Sequence, residues 1–353
     1  RLVAAGHLDR EKYTKRDKRS PTPSMLTIKW AVAHAMRRGW SISQVDIDSA
    51  YLNGIIDREK YIHIPQGFEG DNKTHAAKLN KTIYGLVNAA NCWFTTITKY
   101  IKENGFTDSP REECVFVKVI PKNITILMTI YVDDFLITSN SKDGVEHAIS
   151  LLEKKFQLKR LGFPQKFIGI QFDQITQSSL FLHQEDLIQS ILENYDFDKD
   201  FQPTIPMIPP KEWKISEGEV IPNYHYRAVI GSLQYLSSMT RIDIAQPLGV
   251  LARAQSNPLP VHHKALGHLL SYLNANRNQG LIFKRNYSNK SKIELYADAD
   301  HAGDRPSRRS TTGYILIYHD AVIHWCSRLQ STISESSAEA ENRALTEGIH
   351  DAL

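Results

Sequence analysis

The sequence predicts an α+β fold, and three of its features support this prediction. Its 353 residues are 41% hydrophobic and 23% charged, which is ordinary for a globular protein with a substantial core. Apolar residues recur with the helical period in some segments and with the strand period in others. The longest apolar stretch, residues 124–138, indicates two strands joined by a tight turn. Alternating helices and strands of this kind are typical of mixed domains.

The first half of the chain alternates between the two kinds of element. Pro21 and Pro23 precede apolar residues at helical spacing that Gly39 can cap, which predicts the first helix. A strand around Asp46 follows it. The same periodicities predict two further helices, over residues 90–101 and 145–156, and two further strands, over residues 166–172 and 180–183.

The second half becomes helical after a proline-rich linker at residues 203–210. Helices are predicted over residues 224–239, 243–256 and 261–274. The polar segment 286–291 indicates a second boundary. Strands are predicted beyond it, over residues 293–300, 312–318 and 321–326, and a helix follows them.

In that last helix, Ser336 and Glu339 are spaced as a capping box. Glu341 shares a helix face with Ala338, Leu345, Ile349 and Ala352, so we expect it to point towards the sheet. A carboxylate on a buried stripe needs a partner. For a single inward glutamate, a salt bridge is a more common solution than a metal ion.

Asp133 and Asp134 lie at the turn of the predicted hairpin. Adjacent acids between apolar strands repel each other and add nothing to the core. A pair of divalent cations would neutralise them, and two-metal sites serve in-line phosphoryl transfer. For an isolated hairpin, however, a polar Asp-Asp turn is the more common explanation.

Asp46 lies on the strand that is predicted to follow the first helix. With a period of two, Val45 and Ile47 share one face, while Gln44, Asp46 and Asp48 share the other. A carboxylate there could supply a third ligand to a two-metal site. A strand with one solvated face would look the same.

The charge, the cysteines and the apolar stretches of the chain indicate its possible partners and its cellular compartment. The formal charge of +4 permits a polyanionic partner without proving one. Basic clusters at residues 10–19 and 154–160 could follow a phosphate backbone, although such clusters are more often solvated surface. The three cysteines are scattered, so a reducing compartment is favoured. No apolar stretch is long enough to span a membrane, so no membrane partner is expected.

Two motifs surround the acids: Tyr-Val-Asp-Asp at residues 131–134, and Gln-Val-Asp-Ile-Asp-Ser-Ala-Tyr-Leu-Asn-Gly at residues 44–54. Together they closely resemble the palm of reverse transcriptases, specifically the polymerase of copia-type LTR retrotransposons. Further landmarks occur in that family's order, at residues 1–6, 65–68, 83–86, 167–170, 229–236 and 309–314.

This resemblance implies a fingers–palm–thumb fold followed by a truncated ribonuclease H-like α/β domain. The implied boundaries are fingers and palm at 1–200, a helical thumb or connection region at 201–288, and a partial ribonuclease H-like domain at 289–353. The chain begins without Met and stops inside a predicted helix. We therefore expect a piece of a larger polyprotein or a truncated copy.

For the polymerase site, the resemblance implies that Asp46, Asp133 and Asp134 bind two Mg²⁺ ions, for which Mn²⁺ can substitute. Tyr51 would exclude the ribose 2′ hydroxyl, with strand packing as the plain alternative. Arg1 would touch the triphosphate. Asn88 stands where the family usually has a glutamine that contacts the incoming nucleotide, next to Val87 in place of a lysine.

The ribonuclease H-like motifs imply metal acids at Asp298 and Glu341. The family's third acid lies on a strand after the Glu341 helix, beyond Leu353. We therefore expect this domain to be incomplete and its nuclease activity to be weak or absent.

The function implied is that of an RNA-directed DNA polymerase fragment of a retrotransposon. Its partners would be an RNA or DNA template with primer, deoxynucleoside triphosphates and other polyprotein products. Its location would be cytoplasmic virus-like particles and the nucleus. One alternative is a decayed, non-catalytic remnant that still binds nucleic acid. Another is a nucleotide cyclase or other palm-type enzyme, which shares paired acids but leaves the later motifs unexplained.

Overall fold

A computed structural model describes residues 2–65, 67–68, 70, 74–214, 225–285 and 293–352. The chain divides into two compact units. The first comprises Arg1–Ala35 and Gly39–Pro164, and the second comprises Met36–Arg38 and Gln165–Leu353. The domain boundaries implied by the family resemblance stay predictions, and the polar segment 286–291 lies outside the described residues.

The first unit is built on a six-stranded antiparallel sheet with strand order β4-β5-β6-β7-β1-β8. Two short strands, β2 and β3, pair with each other outside this sheet. The elements of the first unit are α1 (Met25–Arg38), β1 (Ser41–Ile47), β2 (Tyr61–Ile62), β3 (Ala77–Lys78), α2 (Ala89–Glu103), β4 (Thr107–Asp108), β5 (Val115–Ile120), β6 (Ile124–Tyr131), β7 (Asp134–Ser139), α3 (Lys142–Glu153) and β8 (Leu158–Gly162).

Both faces of this sheet are covered, because apolar side chains alternate along the central strands. On β6, Met128 packs in the cluster that contains α2 and α3, whereas Leu127 packs in a cluster with Ala31 of α1. The larger cluster includes the fully buried Trp93 of α2. The result is a three-layer arrangement, with α1 on one face of the sheet and α2 and α3 on the other.

The second unit contains two antiparallel sheets and a set of helices. One sheet has the order β12-β11-β10-β9 and the other β13-β14-β15. Its elements are β9 (Lys166–Phe167), β10 (Ile170–Thr176), β11 (Ser179–His183), α4 (Glu185–Asn194), α5 (Tyr226–Met239), α6 (Ala245–Ala252), α7 (Pro260–Ala275), β12 (Leu281–Lys284), β13 (Ile293–Ala299), β14 (Thr311–Tyr318), β15 (Ala321–Leu329) and α8 (Ser337–Ala352).

Helices α4 to α7 share one apolar core, formed by residues such as Ile191, Leu233, Leu248 and Leu269. Helix α8 packs on the β13-β14-β15 sheet through Ala340, Ala344 and Gly348, which are buried. An added Cβ at Gly348 would lie 2.7 Å from Leu295 Cδ1, so small residues are what allows this close approach.

The predicted elements are confirmed in kind, although several of their bounds differ. The strand predicted over residues 166–172 is broken by a turn at Ile168 and Gly169, both with positive φ. The helix predicted over 243–256 ends at Ala252. Several elements were not predicted from the sequence, among them helix α4 and strands β5, β8 and β12. In the described part of the chain, no helix has both the length and the apolar character needed to cross a membrane.

Candidate active site

The paired acids lie at the tip of the β6–β7 hairpin, as predicted. Tyr131 pairs with Asp134, so the loop consists of Val132 and Asp133. Strand β1 lies beside β7 in antiparallel register, with Asp46 directly opposite Asp134. Opposite residues in such a pair project from the same face of the sheet. The tertiary structure therefore brings Asp46 beside the adjacent pair Asp133 and Asp134, which lies far from it in the sequence.

The predicted face alternation on β1 is confirmed. Val45 and Ile47 are buried, with exposures of 0% and 1%, while Asp46 is partly exposed. Burying two β-branched residues on one face commits the alternate positions to the other. The apolar residues of β1 thus determine the direction in which the carboxylate points.

The hairpin tip is anchored by hydrogen bonds to its backbone. The Ile47 N–H donates to the Asp133 carbonyl at 2.9 Å. The indole Nε1 of Trp93 donates to the Val132 carbonyl at 2.7 Å. Both carbonyls of the two-residue loop are therefore bound inside the protein, so the Asp133 side chain is carried on a fixed backbone.

The environment raises the pKa of two of the acids. For Asp46, burial is the main cause, and Asp133 adds repulsion while Lys159 opposes the shift. For Asp134, burial again raises the pKa most, and Asp133 and Asp46 raise it further. The Gln44 Nε2 donates to Asp134 Oδ1 at 3.1 Å, which partly offsets this. Repulsion among crowded carboxylates is what a bound cation would relieve.

Two polar neighbours of the acids were missed from the sequence. Gln44 is 4% exposed and holds Asp134, and its position two residues before Asp46 on one strand face is the signal that could have identified it. Lys159 was counted in a basic surface cluster. Its Nζ lies 3.3 Å from Asp48 Oδ1 and 3.9 Å from Asp46 Oδ2, because β8 pairs with β1.

Tyr51 follows β1 in a single 3₁₀ turn, after Ser49 with a left-handed φ of 52°. Its ring meets that of Tyr84 edge-on, at 5.4 Å between centroids. Burial raises the pKa of Tyr51 most, and the charge of Asp133 raises it next. The phenol of Tyr51 therefore interacts electrostatically with the hairpin tip.

Asn88 is 1% exposed, and its amide Nδ2 donates to Asp57 Oδ1 at 2.6 Å. A contact with a nucleotide would require this buried amide to become exposed. Arg1 lies outside the described residues, so its predicted contact with a triphosphate stays a prediction.

The second group of predicted metal acids lies on β13 and α8. Asp298 is exposed on β13, where it lines a groove of about 610 Å³ together with Asp300 and Tyr296. The expected inward orientation of Glu341 is wrong, because Glu341 is exposed.

The buried face of α8 differs from the predicted one. Leu345 and Ile349, which were expected to face the sheet with Glu341, are 44% and 45% exposed. The helix turns Ala340, Ala344 and Gly348 to the sheet instead, because only small residues fit that close approach. The capping interaction is present, with the Glu339 N–H donating to Ser336 Oγ at 3.2 Å.

Over the described ranges, no group of three or more His, Cys, Asp or Glu side chains is arranged so that it could hold a metal ion. The donor set at the hairpin nevertheless consists only of carboxylate oxygens. Such oxygens suit Mg²⁺, which proteins commonly hold through one or two carboxylates together with substrate phosphates.

Comparisons with known proteins identify the family of the chain. Residues 1–209 match the family model described as reverse transcriptase (RNA-dependent DNA polymerase). Over 98% of its length, the chain is 32% identical to a retrovirus-related Pol polyprotein from transposon RE1 of Arabidopsis thaliana. Also over 98%, it is 30% identical to one from transposon TNT 1-94 of Nicotiana tabacum. These matches cover 23% and 27% of the two polyproteins, so the chain spans about a quarter of their length.

A shorter relative is matched over most of its own length. The chain is 25% identical to a putative transposon Ty5-1 protein of Saccharomyces cerevisiae, over 84% of this chain and 96% of that protein.

Proposed function

The chain belongs to the reverse transcriptase (RNA-dependent DNA polymerase) family, and on that premise we propose that it extends a DNA primer along an RNA template. The observation that carries this proposal is the meeting of Asp46, Asp133 and Asp134 at one end of the first unit's sheet. Two of these acids have raised pKa values because they are buried beside one another. Such crowding is typical of a site that binds cations.

We assign Asp46, Asp133 and Asp134 as the residues that would hold two Mg²⁺ ions, with Asp46 and Asp133 contributing most. When bound, the ions would activate the primer 3′ hydroxyl and neutralise charge on the phosphates of the incoming nucleotide. Gln44 orients the Asp134 carboxylate by its hydrogen bond at 3.1 Å. Lys159 supplies positive charge beside Asp46 and Asp48, 3.9 and 3.3 Å from their oxygens, which limits their repulsion.

Tyr51 is proposed as the residue that excludes ribonucleotides. The support is the position of Tyr51. The charge of Asp133 raises the pKa of its phenol, and its ring packs edge-on against Tyr84. A braced ring close to the hairpin tip can obstruct a 2′ hydroxyl, because it has little freedom to move aside.

For the fold we propose three regions: fingers and palm at 1–200, a helical thumb-like region at 201–288, and a ribonuclease H-like region at 289–353 with Asp298 and Glu341 as its acids. The proposed partners are a primed RNA or DNA template, deoxynucleoside triphosphates and other polyprotein products. The proposed locations are virus-like particles in the cytoplasm and the nucleus.

A primer-extension assay tests the main proposal. The chain is incubated with a primed RNA template, the four deoxynucleotides and Mg²⁺, beside an Asp133→Asn variant of matched folding. We expect extension by the unaltered chain and none by the variant, which lacks one carboxylate of the pair. Equal extension by both would exclude the assigned carboxylates.

A non-catalytic protein that still binds nucleic acid is the second candidate. Asn88 favours it, because a residue expected to contact the nucleotide is buried against Asp57 and Cys92. Retention of a labelled RNA–DNA hybrid, without extension under any of the conditions above, would identify this case.

A further inference from the structure

Two β-branched residues have an unusual backbone conformation. Of the described non-glycine residues with positive φ, only Val132 (φ 59°) and Ile168 (φ 47°) are β-branched. Branching at Cβ makes this left-handed region costly, so such residues persist there only when their surroundings hold them. We therefore expect each of them to be held by a specific contact.

Both residues occupy the first position of a two-residue hairpin loop. Val132 precedes Asp133 between the paired Tyr131 and Asp134, and Ile168 precedes Gly169 between β9 and β10. Loops of this length normally use Asn or Gly where φ is positive.

Both residues are also held by the same kind of contact. The Trp93 Nε1 donates to the Val132 carbonyl at 2.7 Å, and the Tyr235 hydroxyl donates to the Ile168 carbonyl at 2.5 Å. In each hairpin, an aromatic donor from a helix binds the carbonyl of the strained residue itself.

We propose that Trp93 is a positioning residue of the polymerase site, which holds Val132 in its left-handed conformation and thereby fixes the Asp133 carboxylate. The proposal rests on the proposed function, because it concerns the same carboxylates. In the sequence, Trp93 lies within the helix predicted over residues 90–101.

The indole is suited to this role because it cannot move. Trp93 is 0% exposed, and its ring meets Phe156 edge-on at 5.3 Å. Because the core holds this donor in place, the loop carbonyl that it binds is held in place as well. The adjacent Asp133 carbonyl is bound by the Ile47 N–H at 2.9 Å, so displacement of Val132 would also strain that bond.

The plain alternative is that Trp93 only fills the core. The two roles differ in how they respond to glycine at position 132. Glycine adopts positive φ without penalty, so a loop with Val132→Gly should keep its shape without the indole donor. A packing defect in the core would not be repaired by a change in the loop.

The experiment compares Trp93→Phe, Val132→Gly and the double variant in the full chain. The first readout is hydrogen exchange of the Ile47 amide, which reports the bond to Asp133 without any metal or substrate. The second is the affinity for Mn²⁺ alone, measured from the electron paramagnetic resonance signal of the free ion.

We expect Trp93→Phe to lower the protection of the Ile47 amide by about three- to tenfold relative to the Met128 amide. We expect its Mn²⁺ affinity to fall about tenfold. The double variant should recover both. A matched Tyr235→Phe control removes the other aromatic donor and should change neither quantity.

If Trp93→Phe fails to fold, Trp93 is replaced by benzothienylalanine, which keeps the ring shape and lacks the N–H donor. Loss of protection throughout the core without recovery in the double variant would overturn the positioning role. A wild-type chain that binds no Mn²⁺ would overturn the proposed metal site, while the Ile47 amide still decides the role of Trp93.

Discussion

Replacing Asp134 by Asn should stabilise the protein when no metal is present. In the folded chain the carboxylate is removed from water and faces Asp46 and Asp133, and together these effects raise its pKa despite the hydrogen bond from Gln44. A raised pKa means that the folded state disfavours the charged form. Asparagine is neutral, has nearly the same shape and still offers Gln44 an acceptor.

The magnitude follows from the pairing of β1 with β7. Opposite residues of an antiparallel pair have Cβ atoms about 5 Å apart. Two unit charges at that distance repel by about 3 kcal/mol at an effective dielectric constant of about 20, and by about 0.8 kcal/mol in water. The Asp46 side chain is 32% exposed, so solvent screens the repulsion between the two carboxylates. The repulsion energy is therefore closer to the lower of these two values. We expect a gain of about 1 kcal/mol in the free energy of unfolding.

The effect should depend on pH with a defined sign. Below the ordinary pKa of 3.8, Asp134 is protonated in both the folded and unfolded states, so folding buries no charge at this position. As the pH rises through 3.8, the unfolded state loses the proton first, so wild-type stability falls until the raised folded pKa is passed. The advantage of the variant should therefore be full at neutral pH and shrink towards pH 4.

The measurement is urea unfolding in EDTA, followed by tryptophan fluorescence at several pH values from 4 to 8. Asp196→Asn, at an exposed position, serves as the control and should change stability little. The reasoning is refuted if Asp134→Asn is less stable than wild type at pH 7, or if its advantage does not vary with pH.

Three further predictions concern other residues. Tyr51→Val should incorporate ribonucleotides more readily in primer extension, whereas Tyr51→Phe should not. If Tyr51→Val leaves the ratio of ribo- to deoxyribonucleotide incorporation unchanged, Tyr51 is a packing residue. With a labelled RNA–DNA hybrid and Mg²⁺ or Mn²⁺, the chain should show little or no ribonuclease H activity, because the two exposed acids Asp298 and Glu341 are few for a two-metal site. Cleavage that disappears in Asp298→Asn would contradict this. Ala344→Leu should destabilise the chain by about 1–3 kcal/mol in urea unfolding, because it overpacks the buried face of α8. Leu345→Ala, on the exposed face, should change stability by less than about 0.5 kcal/mol, and the reverse order would restore the original assignment of faces.

Local sequence patterns were sufficient to predict the class of fold and the hairpin that carries the acids. Strand and helix periods are local properties, so residues 124–138 and the apolar face of β1 could be assigned without tertiary contacts. The motif around Asp133 also indicated the family, which the match over residues 1–209 confirms.

Periodicity alone was insufficient for α8. Its two possible faces both carry apolar residues, and the choice depended on how closely the helix approaches the sheet. The small residues Ala340, Ala344 and Gly348 allow the closer approach, so they are buried and Glu341 is exposed.

The side chains that surround the acids depend on contacts between distant parts of the chain. Lys159 reaches Asp46 because β8 pairs with β1, and Trp93 reaches Val132 because α2 packs beneath the hairpin. These contacts join residues 113 and 39 positions apart in the chain. No local pattern specifies such a distance, because it depends on the order of strands in a sheet and on the packing of a helix against it.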